Sequence, residues 1–137
     1  MTISEIEDRL ITVIKGLSLF KWVDSMGRKG LPATLNYPAA LIYFLSEKNT
    51  ETKPRPVMIL TYEAAVIDKN VQSEAKAAKD IYSLVDAVRD AINGKTLEIT
   101  DIEPFVCGLI EFADYDGGKI TYTMQFQTRH YLPVPAE

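Results

Sequence analysis

The chain has 137 residues, of which 47% are hydrophobic and 25% charged, and its formal net charge is −4 at pH 7. This composition excludes a disordered tail and a histone-like polycation. One cysteine and one histidine exclude disulfide frameworks, zinc sites built from Cys and His, and any site that requires two histidines. The length predicts a single domain over residues 1–137 with a sizeable core.

The sequence shows no targeting features. Residues 1–8 are acidic and lack the basic segment and continuous apolar run of a secretory signal. No stretch approaches the roughly 18 apolar residues of a membrane span. We therefore expect synthesis in the cytoplasm and no membrane partner.

The first predicted elements are a helix over residues 4–16 and a short strand over residues 19–24. The helix has an apolar stripe and a capping box formed by Ser4 and Glu7. Residues 25–38 contain two glycines and two prolines and predict a long irregular loop, which inside a compact domain is typically functional or interfacial. The apolar stripe consists of Ile3, Ile6, Leu10, Val13, Ile14 and Leu17.

Two strands joined by a polar hairpin tip are predicted next. Residues 40–46 read as a strand that is buried on both faces or covered by a neighbouring chain. Residues 47–55 are polar and predict the hairpin tip, and residues 57–68 predict the returning strand, with substantially apolar residues on both faces.

The C-terminal half predicts a second helix followed by a closing hairpin. The helix begins at Asn70 or Ser73 and ends at Asn93 and Gly94, which are typical of a left-handed C-cap. Residues 97–99 predict a short strand, and residues 105–113 pair with residues 120–131 through a turn at 114–118. The inner stripe of the helix is Ala77, Ile81, Leu84, Val85, Val88 and Ile92.

This order of elements predicts an α+β fold. The sheet is mainly antiparallel with long β-hairpins, two helices pack on one of its faces, and the other face stays partly open.

The segment from Gly27 to Gly30 matches the G-x-x-G loop with which KH domains clamp a nucleic-acid backbone. That loop joins two helices, whereas a strand is predicted before Gly27 and Pro32 follows it, which favours a flexible basic turn. A small nucleic-acid-binding module that uses Arg28 and Lys29 remains an alternative, and it requires steeply salt-dependent binding.

Candidate catalytic and metal-binding residues are few. Asp114 and Asp116 resemble the start of a calcium loop, but Gln125 stands where the bidentate carboxylate is needed, which favours a hairpin turn. His130 is the only candidate proton carrier at neutral pH, and a structural or rim histidine is the commoner interpretation. Cys107 lies in an apolar run that predicts a small buried hydrophobe.

Four carboxylates form the last candidate group, and they either pair in space or decorate a solvated surface: Glu98, Asp101, Glu103 and Glu111. No phosphate loop, nucleophile elbow or dinucleotide fingerprint is present. We expect neither an enzyme nor a cofactor nor a metal. The alternative is a small ligand-binding or hydrolase domain with a deep pocket at His130 or at paired carboxylates.

The aromatic residues supply more apolar surface than two short helices can cover. If some of them lie on an open sheet face or an edge strand, they indicate association with copies of the same chain. Charge is also segregated, because residues 1–60 carry eight Lys/Arg and six Asp/Glu, whereas residues 61–137 carry seven and thirteen. The aromatic residues are Trp22, Tyr37, Tyr43, Phe44, Tyr62, Phe112, Tyr115, Tyr122 and Tyr131.

The order of predicted elements resembles that of a known family over residues 3–132. The resemblance rests on the capped first helix, the Gly/Pro-rich loop before Tyr37 and Pro38, the charged hairpin at 48–55, the helix at 75–93 and the closing hairpin at 105–131. The chain is similar to the tail terminator or tail-completion proteins of long-tailed bacteriophages, and more closely to the gene-thirty-seven product family of Mu-like prophages. The resemblance is one of pattern, and no catalytic signature belongs to it.

The resemblance implies a structural virion protein that assembles in the bacterial cytoplasm. About six copies would form a homo-oligomeric, hexameric ring that caps the head-proximal end of the tail tube and ends its growth. The candidate partners of the ring are the tail tube, sheath proteins, and the neck or head-completion proteins, and no direct nucleic-acid contact is expected. Residues 27–36 and 48–55 become candidate contact loops, with Arg28, Lys29, Lys53 and Arg55 as interface residues.

Overall fold

The computed structural model describes residues 2–26, 36–51, 56–69 and 74–132. The elements in chain order are α1 (Ile3–Gly16), β1 (Trp22–Ser25), β2 (Ala39–Glu51), β3 (Val57–Lys69), α2 (Glu74–Ile92), β4 (Val106–Asp116) and β5 (Lys119–Tyr131). The strands form one sheet in the order β1-β2-β3-β5-β4. The β1 and β2 strands are parallel, and the other three pairings are antiparallel. The predicted α+β class with a mainly antiparallel sheet is confirmed.

Both helices pack on the same face of this sheet and close one hydrophobic core. The strands contribute alternate residues, as the two-residue period of a strand dictates. Neither described helix combines the length and apolarity that crossing a bilayer requires. The side chain of Ala77, predicted for the inner stripe, lies outside the described residues. The core residues of these elements are Ile6, Leu10, Ile11 and Ile14 of α1, Ile81, Val85, Val88 and Ile92 of α2, and Ala40, Ile42, Leu60, Tyr62, Ala64, Val66, Ile120, Met124 and Phe126 of the sheet.

The first helix begins earlier than its predicted capping box. Thr2 is the N-cap, and its hydroxyl accepts a 3.1 Å hydrogen bond from the backbone N–H of Glu5. Ser4 and Glu7, the predicted capping pair, therefore lie within the helix. The sequence offers two capping pairs at the same three-residue spacing, Thr2 with Glu5 and Ser4 with Glu7. The earlier start includes Ile3 in the helix, where it packs against the core.

The second strand is longer than predicted, because pairing with β3 continues through its polar end. Glu47 lies opposite Leu60 and Lys48 opposite Ile59, so the prediction of a hairpin tip is wrong for residues 47–51. Backbone hydrogen bonds of a ladder do not depend on side-chain polarity, and β-bulges near residues 45 and 50 accommodate the change of register. Residues 52–55 lie outside the described part of the chain.

Two other boundaries differ from the sequence-based expectation. Strand β1 covers residues 22–25 rather than 19–24, after a left-handed residue at Ser18 (φ 58°). Residues 97–99 are not a strand, because Leu97 and Glu98 also have positive φ angles, of 54° and 64°, which are incompatible with an extended chain. Ile102 instead forms an isolated antiparallel bridge to His130.

The predicted closing hairpin is confirmed, with a tighter turn. Gly117 (φ 57°) and Gly118 (φ 82°) form a two-residue loop, and such loops favour glycine because both positions require positive φ. Asp114 and Asp116 consequently belong to β4, where they lie opposite Thr121 and Lys119.

Candidate functional site: the open sheet face and the β4 edge

The sheet face opposite the helices, called here the open face, has a polar centre. The strand registers place Tyr43 beside Glu63, Glu63 beside Gln125, and Gln125 beside Leu109. Towards β1 the same face is apolar, and Leu41 is only 2% exposed there. For residues 40–46, the sequence predicted either burial on both faces or coverage by a neighbouring chain. Leu41 is buried within its own chain. Towards β4 the face ends in exposed side chains.

Tyr43 and Glu63 form a cross-strand pair on the open face. The Tyr43 hydroxyl donates a hydrogen bond to the Glu63 carboxylate. Burial, together with this bond and the charge of Glu63, raises the pKa of Tyr43 well above its ordinary value. The phenol stays a neutral donor, which suits a structural cross-strand contact and not a nucleophile.

Among the described strands, β4 lies at one edge of the sheet, and it has exposed apolar side chains on both of its faces. Val106 is 58% exposed, Leu109 42% and Phe112 52%. Val106 and Leu109 belong to the open face, because they lie opposite Gln127 and Gln125. Phe112 lies opposite Tyr122 on the helix side and meets its ring edge-on, with centroids 5.8 Å apart. This strand carries half of the six exposed large hydrophobic residues in the described chain.

A cleft of about 270 Å³ opens beside the N-terminal end of β4. Its polar rim contains an ion pair, in which Nε of Arg129 lies 3.0 Å from Oε2 of Glu103. The backbone N–H of Glu103 also donates a 3.0 Å hydrogen bond to the carbonyl of Arg129. Glu103 neutralises the positive charge of the Arg129 guanidinium at the rim. The cleft therefore has the character of an apolar recess and not of an anion-binding site. The lining residues are Ile59, Glu103, Pro104, Val106, Gln127, Thr128 and Arg129.

His130 is buried near the end of β5 and has a carboxylate partner. Its Nε2 atom lies 2.8 Å from Oδ2 of Asp101, and its side chain is 6% exposed. Burial opposes the charge on Asp101, but hydrogen bonds, among them the one with His130, hold the pKa of this carboxyl below its usual value. His130 does not line the cleft described above. The pair ties the segment after α2 to β5, an attachment that the bond from the Tyr131 N–H to the Asp101 carbonyl (2.8 Å) extends.

The other candidate chemical groups are dispersed in the structure. Oε2 of Glu98 lies 3.8 Å from Nη1 of Arg9, and Glu111 is exposed on β4. The four predicted carboxylates therefore do not share one site. Among the described residues, no cluster of three or more His, Cys, Asp or Glu side chains could hold a metal ion. Cys107 is half-buried and packs against the core, and burial raises the pKa of its thiol.

The predicted interface residues fall where the structure gives no description. Arg28, Lys29, Lys53 and Arg55 all lie outside the described residues, as does the G-x-x-G segment. Phe112 is among the aromatic residues that the sequence marks as surplus, whereas the exposure of Val106 and Leu109 was not predicted. Their exposure follows from the position of β4 at the end of the sheet order, which no local pattern encodes.

Comparison with known proteins gives a structural neighbour. No family model and no curated protein match the sequence. A chain from a solved structure described as "Virion of native gene transfer agent (GTA) particle" superposes with a TM-score of 0.57. The alignment covers 89% of this chain and 84% of that chain, at 12% sequence identity. The likeness lies in the fold.

Proposed function

We propose that this chain is a structural component of a phage-type virion, and specifically a tail terminator that caps the head-proximal end of a tail tube. The assignment to a structural virion protein rests on the fold, which is shared with a chain of a gene transfer agent virion over most of both chains. The pattern resemblance to tail-completion proteins supports the specific part. In this proposal the protein acts by assembly and performs no catalytic step.

The exposed side chains on β4 support a role in assembly. Large apolar residues on an edge strand are costly in an isolated chain, since an unpaired edge invites association with another strand. The side chains that could take part in proton transfer are hydrogen-bonded in pairs: His130 with Asp101, and Tyr43 with Glu63. These pairs are consistent with a structural role. Ring formation requires heterologous contacts, in which two different patches of the same chain meet.

Deletion of the gene, followed by electron microscopy of the particles, tests this function. We expect tail tubes of irregular, extended length without a finished upper end, and heads that remain unjoined. Complementation with the wild-type gene should restore uniform joined tails. Tubes of normal length with intact ends after the deletion would contradict the terminator role.

A further inference from the structure

The connection between α2 and β4 contains a strained turn. The backbone N–H of Ile99 donates a 3.0 Å hydrogen bond to the carbonyl of Thr96. The two residues between them both have positive φ angles, 54° at Leu97 and 64° at Glu98. A turn with two such residues normally contains Asn and Gly, because other side chains are crowded by the backbone in this conformation. The rest of the fold must therefore stabilise the conformation that Leu97 and Glu98 adopt.

Arg9 of α1 contacts this turn. Its Nη1 atom donates a 2.6 Å hydrogen bond to the carbonyl of Leu97 and lies 3.8 Å from Oε2 of Glu98. The Glu98 side chain is 95% exposed, so its ion pair with Arg9 is weak. The bond to the Leu97 carbonyl is charge-assisted and restricts the orientation of the peptide group inside the turn. Arg9 thus stabilises the strained turn through its backbone.

Residues 96–103, called here the strap, lead from this turn along the end of β5. Two backbone hydrogen bonds join the strap to that strand. The N–H of Glu103 donates a 3.0 Å bond to the carbonyl of Arg129, and the N–H of Tyr131 donates a 2.8 Å bond to the carbonyl of Asp101. The pairing between β4 and β5 stops short of this end. The strap therefore supplies hydrogen-bond partners that β4 does not supply there.

The strap also forms one wall of the cleft beside β4. Glu103 and Pro104, the residue directly after the strap, line this cleft, whereas the other lining residues belong to β3, β4 and β5. The hydroxyl of Thr128 donates a 2.5 Å hydrogen bond to the carbonyl of Glu103, and the bond between Asp101 and His130 joins the strap to β5 as well. The cleft consequently keeps its shape only while the strap lies against β5.

We propose that the strap opens as a unit from the end of β5, and that Arg9 is the contact that keeps it closed. Strain at Leu97 and Glu98 favours opening, because a released turn can return to ordinary backbone angles. The hydrogen bond from Arg9 opposes opening. Opening removes one wall of the cleft and exposes the backbone groups of β5 at residues 129–131, so the conformation of the strap controls access to both. The inference does not depend on the tail-terminator role.

Native-state hydrogen exchange, followed by NMR on the full-length protein, measures this opening. The reporters are the backbone amides of Glu103 and Tyr131, whose hydrogen bonds join the strap to β5. The amide of Met124, a fully buried residue of β5, serves as the reference for unfolding of the whole domain. Arg9→Gln should raise the exchange rates of both reporters at least about tenfold relative to the rate of Met124, because a charge-assisted hydrogen bond is lost.

Arg89→Gln is the matched control for this substitution. Arg89 has an exposure similar to that of Arg9 (39% against 31%) and forms its ion pairs within α2. Its replacement should leave the exchange of both reporters unchanged. An equal rise at the reporters and at Met124 in Arg9→Gln would show that Arg9 stabilises the whole fold and not the strap. That outcome, or unchanged exchange at the reporters, would overturn the proposal.

A second pair of variants tests the strain and leaves Arg9 in place. Glu98→Gly removes the penalty of a positive φ at an exposed residue, so it should slow the exchange of both reporters about threefold or more. Glu98→Ala removes the same carboxylate but retains the strained backbone, and its rates should stay within about twofold of wild type. Equal rates in the two variants, or faster exchange with glycine, would refute the strained strap even if Arg9→Gln did not fold.

Discussion

The hydroxyl of Tyr62 donates a 2.9 Å hydrogen bond to the backbone carbonyl of Ile3. Tyr62 is fully buried in β3, and its ring meets that of Phe44 edge-on with centroids 5.5 Å apart. Ile3 is the first residue of α1. This single contact therefore attaches the beginning of the first helix to a central strand of the sheet.

Removal of this hydroxyl should weaken the fold modestly. We expect Tyr62→Phe to lower the free energy of unfolding by about 1 kcal/mol, since the ring packing is retained and one buried hydrogen bond is lost. Denaturant titration followed by circular dichroism provides the measurement. Tyr115→Phe serves as the control, at a half-buried tyrosine that packs against the same core. Equal losses in both variants would mean that the bond to Ile3 is not a significant source of stability.

The pair formed by Asp101 and His130 predicts an acid-sensitive contribution to stability. The pKa of Asp101 is lowered in the fold, so its contribution is present above the unfolded pKa of about 4 and is lost as the pH falls through the folded pKa. Asp101→Asn should therefore lower the free energy of unfolding by about 1 kcal/mol at pH 7, with a smaller difference from wild type below about pH 4.

Unfolding titrations at several pH values check the prediction for Asp101. The control is Asp114→Asn, an exposed carboxylate of β4, for which we expect a change within about 0.5 kcal/mol. A wild-type difference for Asp101→Asn that grows towards low pH would have the wrong sign and would refute the assigned role.

Two glycines at helix ends should respond oppositely to alanine. Gly94 has φ +78°, so Gly94→Ala should destabilise the protein by about 1 kcal/mol even though nothing lies within 4 Å of the added methyl group. Gly16 ends α1, has the same open space, and has no positive φ, so Gly16→Ala should stabilise by up to about 1 kcal/mol. Thermal unfolding of both variants measures the difference. The same sign for both would contradict the backbone explanation.

Two phenylalanines separate core packing from surface contact. Phe105 is fully buried, and Phe105→Ala should lower the free energy of unfolding by about 3–5 kcal/mol by leaving a cavity. Phe112 is 52% exposed, so Phe112→Ala should cost about 1 kcal/mol, mainly through its contact with Tyr122. Denaturant titrations below the concentration of association give both values. A Phe112→Ala loss as large as that of Phe105→Ala would place Phe112 in the core of the isolated chain.

Local patterns predicted the helices and most strands because their signals are periodic and short-range. The stripe of Ile6, Leu10 and Ile14 and the alternation around Met124 and Phe126 both mark residues that the structure buries. The patterns failed where pairing overrides polarity, as at Glu47 and Lys48, which continue β2 because β3 supplies hydrogen-bond partners.

Short-range patterns predicted the amphipathic helices and the closing hairpin, because each depends on residues within a few positions of one another, and the order of the elements indicated the fold class. The hairpin turn was predicted over residues 114–118, whereas strand pairing reduces it to Gly117 and Gly118. Long-range packing, by contrast, places β4 at the edge of the described sheet, brings Asp101 to His130, and joins Tyr62 to the start of α1. These relationships join residues 29 or more positions apart, or follow from the order of the strands. They arise from the register and order in which the chain packs, which neighbouring residues do not specify.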